Sequence, residues 1–170
     1  AMLRRWSENP RAPKGPMPPV AKAFEMISTA QVAKSAFEAR EMLILRPTDG
    51  ITMNRDRLLA DAKAKALSMV EDYRPAEPKT LRLPGPTGHA ALSMAVQQQA
   101  AMGRVTPHDV VVCDHLATTL TGGPKADHTD EMTEDQVLTL ERQSFMALLK
   151  TSGTLARVEH MLETGRPLRN

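Results

Sequence analysis

Two proline-rich runs divide this chain and limit what it can fold into. Residues 7–19 hold Pro10, Pro13, Pro16, Pro18 and Pro19, and residues 74–88 hold Pro75, Pro78, Pro84 and Pro86 with Gly85 and Gly88. Proline fixes φ and removes a backbone donor, so both runs read as extended chain. The first predicts an arm over 1–19 that lies on another surface, with Trp6 as its docking residue. The second predicts a linker over 74–88. That leaves 20–73 and 89–170 to form ordered structure. Aromatic residues are only 3% of the chain, and there are eleven Met with many Ala and Leu. Those residues must fill the interior and they favour helix, whereas strand formers are thin. The expected fold class is mainly α, with about six to seven helices joined by the proline-rich linkers.

Charged residues are 25% and hydrophobic residues 41% of the 170-residue chain. That balance excludes wholesale disorder, and the length suffices for a real core. A net charge of +2 from intermixed acids and bases gives no electrostatic footprint, and stacking aromatics are scarce, so nucleic acid is not an expected partner. A single cysteine, Cys113, excludes an internal disulfide and suits a reducing cytoplasm. No apolar run approaches the roughly 20 residues of a membrane span, and no signal-peptide core is present.

Helix signals punctuate the chain. One helix is expected to start near Pro19, with Val20, Ala23, Phe24, Ile27 and Ala30 or Gln31 on one face. A short helix follows over 35–43, with Phe37, Ala39 and Leu43 for packing. Arg46-Pro-Thr-Asp-Gly50 is a turn, and Ile51-Thr-Met53 reads as a brief strand. Asn54 is a plausible N-cap for a helix to about Tyr73. That helix is expected to bury Leu58, Leu59, Ala62, Ala66, Met69 and Val70, and to pair Asp61 with Lys65.

Four helices are expected beyond residue 88. The first spans about 88–102. The second opens with the Thr106-Pro-His-Asp109 cap and ends at Gly122-Gly123. The third runs from Thr133, with Gln136 at the third helical position, to about Lys150. The last spans about 152–164 and closes at Gly165 and Pro167. Val110-Val-Val-Cys113 reads either as a buried strand or as helix; the cap before it and the spacing after it favour helix.

Few residues suggest chemistry. Cys113 and His115, at i and i+2 of a helix, point about 200° apart and cannot form a nucleophile–base pair. Cys113 reads as a small core residue. His108, His115 and the His128 region with Asp127, Asp130 and Glu131 lack any recognised metal-ligand spacing. Gly122-Gly-Pro-Lys125 lacks the full phosphate-loop pattern and reads as helix termination. Asp49, Asp56 and Asp61 read as turn and helix-start acids. Met26, Met69, Met94, Met102, Met146 and Met161 fall near apolar helix faces, so core packing is the default; an exposed face is the alternative within something larger.

Several stretches carry a resemblance: Ala23-Phe-Glu-Met-Ile27, Glu38-Ala-Arg-Glu41, Asp49-Gly-Ile-Thr-Met-Asn-Arg-Asp-Arg57, Leu155-Ala-Arg-Val-Glu-His-Met-Leu162 and Thr164-Gly-Arg-Pro-Leu-Arg-Asn170. Through them, residues 20–67 and 134–170 resemble the C-terminal region of a long bacterial 3-hydroxyacyl-CoA dehydrogenase. In that family a dehydrogenase part is followed by an enoyl-CoA hydratase, or crotonase-like, part. The resemblance implies the helical C-terminal part of a crotonase-like enzyme of fatty-acid β-oxidation. In crotonases, helices like Ala23–Ala30 and Ser35–Leu43 follow the catalytic core. The two catalytic carboxylates, the oxyanion-hole amides and the dinucleotide fingerprint would then lie before residue 1. No catalytic residue and no metal ligand is carried onto this chain. NAD and acyl-CoA are implied for the full-length protein, with no cofactor bound by this segment.

Crotonases use their terminal helices for oligomer contacts and to wall the CoA site. By that analogy Phe145 and Arg166 are the candidates near CoA. The long insertion around 74–130 departs from short crotonases. The implied partners are the upstream dehydrogenase and crotonase-like domains of the same polypeptide, in a homo-oligomer. The rival reading is a free-standing helical interaction module without catalysis, supported by the two proline-rich linkers and the Met-rich helices.

Overall fold

A computed structural model describes every residue, Ala1–Asn170. The chain divides into two compact units, Ala1–Gln31 with Lys79–Asn170, and Val32–Pro78. The fold is mainly α, as expected from the composition.

The first unit contains α1 (Met2–Glu8), α2 (Met17–Ser28), β1 (Thr80–Leu81), α5 (Gly85–Ala101), α6 (Pro107–Thr121), β2 (Met132–Thr133), α7 (Glu134–Leu148) and α8 (Ser152–Thr164). Residues 1–19 are not an extended arm. The prolines begin only at Pro10, so Met2–Glu8 is free to form a helix; it packs on α2 and buries Leu3. Lys22 Nζ lies 5.9 Å from the centre of the Trp6 ring. Helix α2 starts at Met17, with Pro18 and Pro19 in its first turn, where the missing N–H costs nothing.

Helix α6 is the hub, packing against α5, α7 and α2. Its neighbours in sequence run antiparallel to it. Asp114 meets Ser93 of α5, and Thr119 meets Ser144 of α7 while Gly123 approaches Leu140. The core cluster is Leu3, Val20, Ala23, Phe24, Leu83, Leu92, Val96, Cys113, Ala117 and Leu120. Two of its members are alanines exposed by 1% or less, Ala23 and Ala117, and their small side chains let the helices close together. Each large member stabilises the fold by about 1.5–3 kcal/mol through burial.

The helix ends follow the expected chemistry. Thr106 Oγ1 accepts from the Asp109 N–H at 3.1 Å, and Asp109 Oδ2 accepts from the Thr106 N–H at 2.9 Å. Thr133 and Gln136 form the same reciprocal box before α7. Gly122 and Gly165 end α6 and α8 in the left-handed region, with φ of +91° and +67°. Val110–Cys113 is helical. The run 74–88 is more ordered than its prolines suggest. Thr80–Leu81 pairs antiparallel with Met132–Thr133, Glu131 ties Thr80 and Arg82, and Leu83, Pro84 and Gly85 are buried.

The second unit holds α3 (Ala36–Glu41), a 3-10 turn at Arg55–Arg57 and α4 (Leu58–Ser68). Ser35 caps α3 and Asn54 caps the 3-10 turn. Asp49 orders the turn before it: its carboxylate accepts from the Arg46 N–H at 2.8 Å, and its carbonyl accepts from Arg40 Nη2 at 2.7 Å. Ile51–Met53 forms no strand. Helix α4 ends at Ser68 and buries none of its residues, so the expected buried face of Leu58, Leu59, Ala62 and Ala66 lies open. Asp61 pairs with Arg57 at 3.5 Å rather than with Lys65, and accepts from Thr52.

The methionines also depart from expectation. Met26 is buried, whereas Met69, Met94, Met102, Met146 and Met161 are exposed by 45–71%. Met2, Met17 and Met132 pack against the core instead. On α2, Met26 turns inward and Ile27, 47% exposed, turns out.

Candidate functional site

Helices α2, α5, α6 and α7 of the first unit line a groove of ≈ 1270 Å³, together with the tail after α8. Its lining is largely apolar: Phe24 and Ile27 from α2, Val112 and Leu116 from α6, Val137 and Phe145 from α7. Concave apolar surface with a few convergent polar groups is the usual form of a binding site.

The polar groups collect at the end where α6 begins. Arg157 of α8 sits at their centre. Its Nη2 donates to Asp109 Oδ1 at 2.7 Å, and its Nε donates to Asn170 Oδ1 at 2.8 Å. Asn170 Nδ2 in turn donates to the Gly153 carbonyl at 3.1 Å. Beside this, His108 Nε2 meets Thr154 Oγ1 at 2.9 Å, and Thr151 Oγ1 donates to Thr154 at 3.0 Å. A Cβ at 153 would lie 2.5 Å from His108 Nδ1, so a larger residue there would displace the imidazole. One guanidinium thus ties the cap of α6, the body of α8 and the tail together. The ion pair is mostly screened from water, with side-chain exposures of 25% and 27%, and its charged hydrogen bonds are of the stronger kind.

Burial alone would raise the Asp109 pKa, but hydrogen bonds from the Thr106 backbone, Arg157 and the Thr106 side chain outweigh it and hold the carboxyl below the usual aspartate range. A depressed folded-state pKa means stability that is full above the unfolded value and lost as pH falls through the folded one. Acid unfolding of the chain below about pH 4 therefore includes a contribution from Asp109. Asp109→Asn is expected to be less stable than the native chain at pH 7 by urea unfolding, with the gap narrowing toward pH 3. A gap independent of pH would show that the charge contributes nothing.

The remaining titratable groups offer no reaction centre. Cys113 is buried, and burial first, then the nearby Asp109 charge, pushes its thiol pKa up. That makes it a poor nucleophile and a core residue, as its place in the sequence suggested. His89 Nε2 and Ser93 Oγ both meet Asp114 Oδ1, at 3.1 and 3.4 Å, so the carboxylate, not the hydroxyl, occupies the imidazole. Asp127 is held below its ordinary pKa by the Thr129 hydroxyl and N–H, and His128 lies 3.4 Å from it on an exposed loop. No three His, Cys, Asp or Glu side chains converge. Gly122 and Gly123 terminate a helix.

Phe145 lines the groove and is 58% exposed. Arg166 is exposed and bonds through its N–H to Thr164 Oγ1; its neighbours Pro167, Leu168 and Arg169 line the groove. The Arg157 centre is absent from the sequence-based candidates. Its partners lie 48 and 13 residues away, and only the Thr106–Asp109 cap gave a local signal.

No helix is long and apolar enough to cross a membrane. No family model matches the chain, and no solved structure does. The chain is similar to the probable 3-hydroxyacyl-CoA dehydrogenase of Bacillus subtilis (strain 168), being 41% identical over 156 residues. The match covers 91% of this chain and 20% of that protein.

Proposed function

We propose that this chain is a helical segment of a fatty-acid β-oxidation enzyme of the 3-hydroxyacyl-CoA dehydrogenase kind, and that it works inside a longer polypeptide with a crotonase-like hydratase part. Its role there is packing and oligomer contact, with no turnover of its own. The observation that carries this reading is the open apolar surface of Val32–Pro78. Leu59 is 82%, Val70 67% and Tyr73 70% exposed, and α4 buries nothing. Apolar surface of this extent is characteristic of a face covered by other protein. The similarity to a protein five times the length of the match supplies a natural cover, the rest of the same polypeptide. A free-standing interaction module would expose similar faces; the 41% identity favours the enzyme segment.

The chain has no G-x-G-x-x-G, the pattern that lets a helix N-terminus receive a pyrophosphate. NAD therefore falls to the remainder of the polypeptide in this reading, which places the whole in the cytoplasm as a homo-oligomer. Phe145 and Arg166 are proposed to border the CoA moiety there.

The test is amide hydrogen exchange on 58–68, paired with an activity assay. In the isolated chain these amides should exchange within seconds, and 3-hydroxyacyl-CoA should not be oxidised with NAD. In the longer polypeptide the same amides should be protected at least about tenfold more. Turnover by the isolated chain, or equal exchange in both, would overturn the proposal.

A further inference from the structure

We infer that Gly165–Asn170 is a strap across one end of the groove, hinged at Gly165 and latched by Arg157. The hinge is conformationally permissive: Gly165 has φ of +67°, and a Cβ there would meet nothing within 4 Å. The strap lies against the site, since Pro167, Leu168 and Arg169 all line the groove. Along its length it has no helix or strand, and Arg166, Pro167 and Arg169 are exposed. Near the hinge it is tied only to the end of α8: the Gly165 N–H donates to the Met161 carbonyl at 2.9 Å, the Arg166 N–H to Thr164 Oγ1 at 3.2 Å, and Thr164 Oγ1 to the Arg166 carbonyl at 3.5 Å.

The far end is anchored differently. Asn170 receives Arg157 Nε on its side chain at 2.8 Å and Nη2 on its carbonyl at 3.4 Å, and gives its own amide to Gly153 at 3.1 Å. Arg157 is itself fixed by Asp109 at 2.7 Å, so the latch is built on the start of α6. A loosely held segment with one strong anchor opens as a unit when the anchor is lost. Opening exposes the end of the groove walled by Gln99, Val105, Asp109 and Leu148, without unfolding the core around Phe24 and Leu120.

Two variants of the 170-residue chain test this by backbone 15N relaxation of the tail, by hydrogen exchange of the bundle, and by the fluorescence of 1-anilinonaphthalene-8-sulfonate, a dye that brightens in apolar grooves. Asn170→Ala removes the side-chain anchor and leaves Arg157 paired with Asp109. It should lower the order parameters of 168–170 to those of a free tail, leave exchange in 107–121 unchanged, and increase dye fluorescence. Asn170→Asp keeps an acceptor for Arg157 and adds charge, so it should hold the order parameters near their native values. The strap is wrong if Asn170→Ala changes neither tail mobility nor dye binding. It is equally wrong if exchange in 107–121 rises as the tail loosens, because the anchor would then support the whole bundle.

Discussion

Gly85→Ala is expected to destabilise the chain by about 3 kcal/mol or more, read as a lowered midpoint in urea unfolding. Two effects add at this position. Gly85 has φ of +62°, a conformation that costs an L-residue roughly 1–2 kcal/mol. A Cβ there would also collide with the backbone carbonyl oxygen of Ala126. Backbone on both sides leaves no flexible side chain to give way, and Gly85 is buried between Leu83 and the rest of α5. Gly103 separates the two effects. Its φ is +68°, with nothing within 4 Å of a would-be Cβ, so Gly103→Ala should lose only about 1 kcal/mol. Similar losses at both sites would mean that the segment 83–85 does not press against Ala126 in solution.

Phe24→Ala is the second large effect, with an expected loss of about 3–5 kcal/mol. Phe24 is 7% exposed and belongs to the cluster in which α2 meets α6. Phe24 is the largest side chain of a cluster it shares with Leu3, Leu92, Val96 and Leu120, so its truncation removes more volume than any other single change there. The remaining void stays partly unfilled, which adds to the lost transfer energy. Ile27→Ala on the same helix should lose less than about 1 kcal/mol, because Ile27 is 47% exposed. Helical spacing alone puts Phe24 and Ile27 on one face, so unequal losses in chemical unfolding would support the packing described above. Equal losses would refute it.

Many apolar side chains at helical spacing stay exposed. Leu59, Met69 and Val70, and in the other unit Met94, Met146 and Met161, are all more than 40% exposed. Helical periodicity identifies residues that leave water, but it does not say where their cover comes from. For Val20, Ala23 and Phe24 the cover is α1 and α6 of the same chain. For α4 no buried contact exists, and the proposed cover is the rest of a longer polypeptide.

What the sequence determined by itself is local. The Thr106–Asp109 and Thr133–Gln136 boxes, the stops at Gly122 and Gly165, and the Asp49 turn are each closed within a few residues. Capping and φ preferences act over such distances, so they are legible without knowing what lies opposite. The scarcity of strand formers fixed the helical class in the same way. Tertiary structure decided the rest. Pairing of Thr80–Leu81 with Met132–Thr133 ordered a run whose prolines suggested a linker. Packing of α1 on α2 folded a segment that reads as an arm. The Arg157 latch joins Asp109, Gly153 and Asn170, which no spacing rule relates. Contacts between positions far apart in sequence depend on which helix faces come together, and that is settled by the competition among all of them for one buried interior.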